Sequence, residues 1–183
     1  MSASTLLTEL FEYKAWANEE LFVALSGLHE RAHATERRTA ILILNHVQIV
    51  DRIFAAHLRR KPHRYTASGT ADAPPLASLA EAVRWTDRWY LEYVPRLSAD
   101  ELAEPIEFAF TDGAQGRMSR EEMLAHVITH GGYHRGEVSY ILRQLDIARP
   151  RDIFTGYLHK AETALPEWRQ AAAAGAPGRL AAQ

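Results

Sequence analysis

The chain has 183 residues, 47% of them apolar, no cysteine, and 21 lysines and arginines against 23 acidic residues, for a formal net charge of -2. That length supports one domain with a sizeable core. The lack of cysteine excludes a disulfide scaffold, an iron–sulfur site and a cysteine nucleophile, and the near-neutral balance leaves no basic field to draw in a nucleic-acid backbone.

From Thr5 to Leu25, Leu6, Leu7, Leu10, Phe11, Trp16, Leu21, Phe22 and Leu25 recur at three and four residues, which predicts an amphipathic first helix ended by Ser26 and Gly27. A polar segment follows, then a second helix from Thr39 to Leu58 with neither proline nor glycine. On its wheel His46 falls amid Leu42, Ile43, Val47, Val50, Ile53, Phe54 and Leu58, while Asn45, Gln48, Arg52 and Arg59 hold the other side. His57 shares the apolar arc but lies about 16 Å further along the axis. One of the two can be an ordinary hydrogen-bonded core histidine, and the wheel does not say which. The basic run HLRRKPHR, His57 to Arg64, reads as a solvated helix end.

Residues 60–75 mix Pro, Gly, Ser and Asp without periodicity and read as a long loop; Pro74 and Pro75 then open a third helix from about Leu76 to Val94. Trp85 and Trp89 on another side of it read as packing or a partner surface. Alternation at Ile106, Phe108 and Phe110 with an Asp112-Gly113 turn predicts a small β-hairpin around 105–118. Ser119 with Glu122 forms a capping box at the head of a fourth helix reaching Leu145. A short C-terminal helix from about Asp152 to Arg169 is expected next. The low-complexity stretch 171–183 reads as a disordered tail after a single domain over 1–170.

The fourth helix carries His126, His130 and His134 at strict four-residue spacing, so that neighbours stand roughly 6 Å apart on one side. Its apolar set is Met123, Val127, Val138, Ile141 and Leu145, with Thr129, Arg135, Ser139 and Arg143 opposite. His130 and His134 face or flank the apolar set; His126 falls at its margin, as an outer-shell or surface residue. A lone inward histidine is usually a satisfied core residue, but two on adjoining turns each need a buried partner. Four helices of this length fit a bundle, in which facing helices build metal sites. With the second helix beside the fourth, His46 can complete a site with His130 and His134. Three imidazoles leave coordination positions open, as a catalytic divalent ion requires, and zinc or nickel would both be satisfied. Gly131 stands where a zinc protease of the H-E-x-x-H type has its glutamate, which argues against that class. Glu137 is the candidate catalytic carboxylate, as an orienter of an imidazole or a general base, with a surface salt bridge as the alternative. Asp51 and Tyr133 carry weaker signals.

The segments FEYKAWANEELFVAL, ILNHVQIVDRIFAAHL and HVITHGGYHRGEVSYILRQLDI together resemble the DinB-like superfamily over about residues 5–160, the HxxxHxxxHRGxV run being the most specific. The resemblance implies an all-α four-helix bundle with a long crossover, a homodimer, and metal ligands at His46, His130 and His134. It thereby decides for His46 over His57. Relatives of this kind include bacillithiol S-transferases and the mycothiol-dependent maleylpyruvate isomerase. A low-molecular-weight thiol is therefore an implied co-substrate, and the expected activity is thiol-dependent S-transfer or metal-dependent hydrolysis of a small-molecule substrate. The competing expectation is a non-catalytic, metal-stabilised dimeric binding module. No N-terminal signal pattern and no run of about 18 apolar residues is visible, so a soluble cytoplasmic protein without membrane or nucleic-acid partners is expected.

Overall fold

The computed structural model describes residues 2–164. Four long helices dominate: α1 (Ala3–Ser26), α2 (Ala34–Leu58), α3 (Leu76–Tyr93) and, after a short α4 (Ala99–Ala103) and a hairpin of β1 (Pro105–Ala109) and β2 (Gln115–Ser119), α5 (Arg120–Gln144). Helix α6 (Phe154–Ala164) follows. The chain divides into two units, Met1–Asp152 and Ile153–Gln183. Within the second, the described part of α6 stacks Phe154 on Tyr157 at 6.4 Å. The stretch 171–183, read as a tail, lies outside the described residues.

In the first unit α1 packs against α3 and α5, and α2 against α3 and α5, so the ring runs α1–α3–α2–α5 and the sequence neighbours α1 and α2 stand across the bundle from each other. The all-α fold with a small hairpin and a short C-terminal helix is the one expected. Helix α2 begins five residues before Thr39, at Ala34, with Glu36 in its first turn where the helix dipole favours an anion. The capping box of α5 is complete: Glu122 N–H donates to Ser119 Oγ at 3.2 Å and Ser119 N–H to Glu122 Oε2 at 2.7 Å. The same device, Ser98 with Glu101, starts α4, which the periodicity did not predict because five residues are too few to show a period.

The hairpin turn uses Asp112 and Gly113 as expected. Gly113 sits at φ +87°, a region glycine enters without penalty, and Asp112 Oδ1 accepts from Ala114 N–H at 2.9 Å. Phe108 lies opposite Gly116, and a side chain there would meet the Phe108 ring at 2.6 Å, so the glycine makes room for it.

The bundle interior is two apolar clusters rather than one. The first gathers Leu7, Phe11, Phe54, Tyr90, Val94 and Val127; the second Leu21, Leu25, Leu44, Leu79, Val83 and Val138. Along every long helix a polar stretch separates them: Lys14 and Asn18 on α1, Gln48 and Asp51 on α2, Thr86 and Asp87 on α3, Arg135 on α5, all buried. This corrects the wheels, which put Gln48 and Arg135 on the solvent side. Both are inward because each finds partners there. Gln48 Nε2 donates to Thr86 Oγ1 at 2.9 Å and to the Ala82 carbonyl at 3.0 Å, and Arg135 Nε to Asp152 Oδ2 at 2.7 Å.

Lys14 is the centre of the layer. Its side chain is 0% exposed, and Nζ lies 2.7 Å from both Asp51 Oδ2 and Asp87 Oδ1. Burial pulls its pKa down, but the two carboxylates outweigh that and hold it above the ordinary lysine value. Asn18 Nδ2 donates to the other Asp87 oxygen at 2.8 Å. Removing one member of such a set leaves buried charge uncompensated. Lys14→Met is therefore expected to lower the unfolding free energy by about 3–5 kcal/mol, whereas Arg143→Met, on the exposed face of α5, should change it by less than about 0.5 kcal/mol; urea denaturation monitored by circular dichroism checks both.

Candidate metal centre

His46 lies on α2, and His130 and His134 on adjoining turns of α5, at the level where polar residues interrupt the two clusters. Among the described residues these three histidines form a group whose candidate ligand atoms all lie within 4.8 Å of one another. His130 Nε2 stands 3.1 Å from His46 Nε2 and 3.1 Å from His134 Nε2.

The outer nitrogens show which inner nitrogens carry lone pairs. His46 Nδ1 is 2.7 Å from the Ser68 carbonyl oxygen, which can only accept. That nitrogen therefore holds a proton, and in the neutral ring Nε2 is a bare lone pair. His134 Nδ1 is 2.5 Å from Glu137 Oε2, a carboxylate, with the same consequence. Two lone pairs thus point at His130 Nε2, which carries at most one proton when neutral and cannot donate to both. The His130 ring is neutral: its pKa is pushed down to about 3, first by burial and then by His134, His46, His126 and Lys14.

A cation held there would resolve this convergence. Two nitrogens each about 2.1 Å from one ion, at tetrahedral or octahedral angles, stand roughly 3.0–3.4 Å apart, a span that includes the observed 3.1 Å. The donor set is three imidazoles, two of them with Nδ1 held on an acceptor from behind, so the residues present fit a divalent ion.

His126 does not join the group. Its ring stacks on His130 at 5.3 Å and on Phe54 at 4.6 Å, making a wall, and burial lowers its pKa. His57 is apart from the triad, against His63 and Phe108 at 5.1 and 4.9 Å. Tyr133 is 68% exposed and meets the His134 ring edge-on at 5.0 Å. Asp51 is engaged by Lys14; burial, opposed by Lys14, raises its pKa to about 6.

Two contributions were not legible from the sequence. The first is the Ser68 carbonyl, which any residue type would supply. The second is the polar layer beside the site: Lys14 and Asn18 occupy positions of the buried series 7, 11, 14, 18, 21, 25 on α1, and that interruption of an apolar stripe was the available signal. Gly131, between the two α5 histidines' turns, is part of this packing, since a Cβ there would come 3.3 Å from Lys14 Cε and Arg135 Nη1.

The family model described as DinB family matches residues 1–170. The chain is 25% identical over 169 residues to Protein DinB of Bacillus subtilis (strain 168), covering 85% of this chain and 95% of that protein. No solved structure matches the chain.

The neutral His130 has a consequence for stability. In the unfolded chain a histidine takes up its proton near pH 6.5, while in the folded protein the site resists it down to about 3. A depressed folded pKa contributes stability that is fully present above about pH 6.5 and is lost as pH falls towards about 3. The metal-free protein should therefore need less urea to unfold at about pH 5 than at about pH 7.5, and His130→Asn should show a smaller loss between the two; equal losses would contradict the assignment.

Proposed function

The chain belongs to the DinB family, and on that premise we propose that it is a divalent-metal enzyme whose ion is held by His46, His130 and His134. Its substrate is a small molecule and its reaction thiol-dependent S-transfer or hydrolysis. The observation that carries this reading is the convergence of three imidazole nitrogens, two with tautomers fixed from behind. A bound divalent ion, zinc or nickel, supplies the Lewis acidity that lowers the pKa of a coordinated thiol or water.

The chain's own residues define the rest. Neutral ligands leave the ion's charge undiminished, which favours an anionic nucleophile more than a carboxylate-rich set would. Glu137 is a positioning residue in this reading: its Oε2 holds the proton on His134 Nδ1 and so keeps Nε2 turned inward. Ser68 does the same for His46 through a backbone carbonyl. The stacked rings of His126 and Phe54 close one side of His130, which directs a substrate to the other. Tyr133, exposed beside His134, is placed to contact it.

The proposal includes a cytoplasmic homodimer without membrane or nucleic-acid partners. Helix α2 is long and apolar enough to cross a membrane by length and composition, but 67% of that window is buried, as in the core helix of a globular bundle.

Elemental analysis of the purified protein is expected to give about one divalent ion per chain, lost in His46→Ala, His130→Ala and His134→Ala and kept in His126→Ala. Unchanged stoichiometry in the three ligand variants would remove the metal from the account. The loaded protein should consume a low-molecular-weight thiol with an electrophilic acceptor, or hydrolyse simple esters or amides. Inertness in both assays would favour a metal-stabilised binding module. Glu137→Gln should weaken metal affinity by about 10–100-fold without abolishing folding, as measured by competition with a chromogenic chelator. Sedimentation velocity tests the dimer.

A further inference from the structure

The basic run from His57 to Arg64 does more than end a helix in solvent. After α2 the backbone turns at Arg60, which adopts φ 52°, and the chain doubles back beside the hairpin. A cavity of about 460 Å³ results, walled by His57, Arg60 and Lys61 on one side and by Ile106, Glu107 and Arg117 of the hairpin on the other. It lies apart from the three-histidine centre, since His57 is eleven residues beyond His46, about 16 Å along the helix.

The wall is cationic. Arg60 Nη2 lies 2.5 Å from Glu104 Oε1, but Glu104 also serves Arg120 at 2.7 Å, so one carboxylate is shared between two guanidiniums. Lys61 and Arg117 make no ion pair among the described residues. Glu107, opposite Arg117 in the strand register, is the wall's one carboxylate. The His57 ring lies in the lining, with His63 against it at 5.1 Å.

A helix C-terminus would ordinarily repel an anion, but here the terminal carbonyls of α2 are occupied. Ala55 O accepts from Arg59 Nε at 2.9 Å, Ala56 O from Lys61 N–H at 2.9 Å, His57 O from Arg60 N–H at 2.8 Å, and Leu58 O from Tyr93 Oη at 3.2 Å and from Arg120. From the α2 end the cavity is therefore faced by the side chains of Arg60 and Lys61 and by the His57 ring. The volume exceeds a bare oxyanion and falls within the roughly 300–1,000 Å³ of small-molecule sites. Ile106 and the His57 ring, backed by Phe108 at 4.9 Å, supply an apolar floor for the uncharged part of a ligand.

We propose that this cavity is a second binding site, taking the carboxylate or phosphate end of a small organic anion between Lys61 and Arg117, with the uncharged part over the His57 ring. The site stands on its own residues, whether or not the three histidines hold an ion.

Metal-loaded protein is titrated with succinate and, separately, with inorganic phosphate at constant ionic strength. The readout is the NMR shift of the His57 ring protons, identified by their loss in His57→Gln; a ligand at the three-histidine centre would leave them unmoved. At least one probe should produce a saturable shift, and the tighter of the two assigns the oxyanion as carboxylate or phosphate. Arg117→Ala and Lys61→Ala, both at exposed positions, should each weaken binding roughly tenfold. Glu107→Gln should tighten it, and Arg143→Ala should leave it within about twofold. No saturable shift with either probe, or equal weakening by Arg143→Ala, would overturn the site.

Discussion

One ammonium group organises the bundle. Lys14 reaches from α1 across the interior to Asp51 of α2 and Asp87 of α3, fully enclosed, with Asn18 bracing the second aspartate. Hydrocarbon surfaces tolerate sliding, because a methyl group accepts many neighbours at nearly equal energy. A buried charge does not, since displacement by even one turn strands it without a partner. With such a contact between the two apolar clusters, the helices have one register in which the buried ammonium meets both carboxylates.

The candidate metal centre sits at the level of this polar layer, at the seam of α2 and α5. Its histidines share turns with Gln48, Gly131 and Arg135, and Asp51 follows on the next turn of α2, so the packing of the polar layer also bears on the spacing of the imidazoles. Arg135 extends the layer outward: with Tyr13 it holds Asp152, tying the chain after α5 back to the bundle. Burial and the Asp152 carboxylate push the Tyr13 phenol up to about 12, so it remains a hydrogen-bond donor throughout the physiological range.

The four long helices, the hairpin turn and the α5 cap were legible in the sequence, because each depends on side-chain identity over consecutive residues. The inward tilt of His130 and His134 was legible for the same reason. What a helical wheel cannot register is compensation. It ranks Arg135 and Gln48 by their cost in hydrocarbon, whereas the folded chain ranks them by the partners waiting for them. The choice between His46 and His57 was open for a related reason: both share an apolar arc, and only the proximity of α5 separates the histidine that meets two others from the one that meets His63. The cavity at the hairpin was illegible altogether, because it brings together residues from 57 to 117 through a backbone turn at Arg60.

The contact between His46 and Ser68 links the loop to the site. Residues 59–75 are pinned to α2 by Asn45 on Thr70 and Arg38 on the Ala71 carbonyl, each at 2.7 Å, and between those tethers and the end of α2 the Ser68 oxygen sets the tautomer of His46. Loop order and the orientation of the His46 ring are therefore linked. Whatever orders the loop holds the His46 ring in place, and by thermodynamic reciprocity whatever fixes that ring steadies the loop. The connection from α2 to α3 is thus held by the same helix face that carries His46.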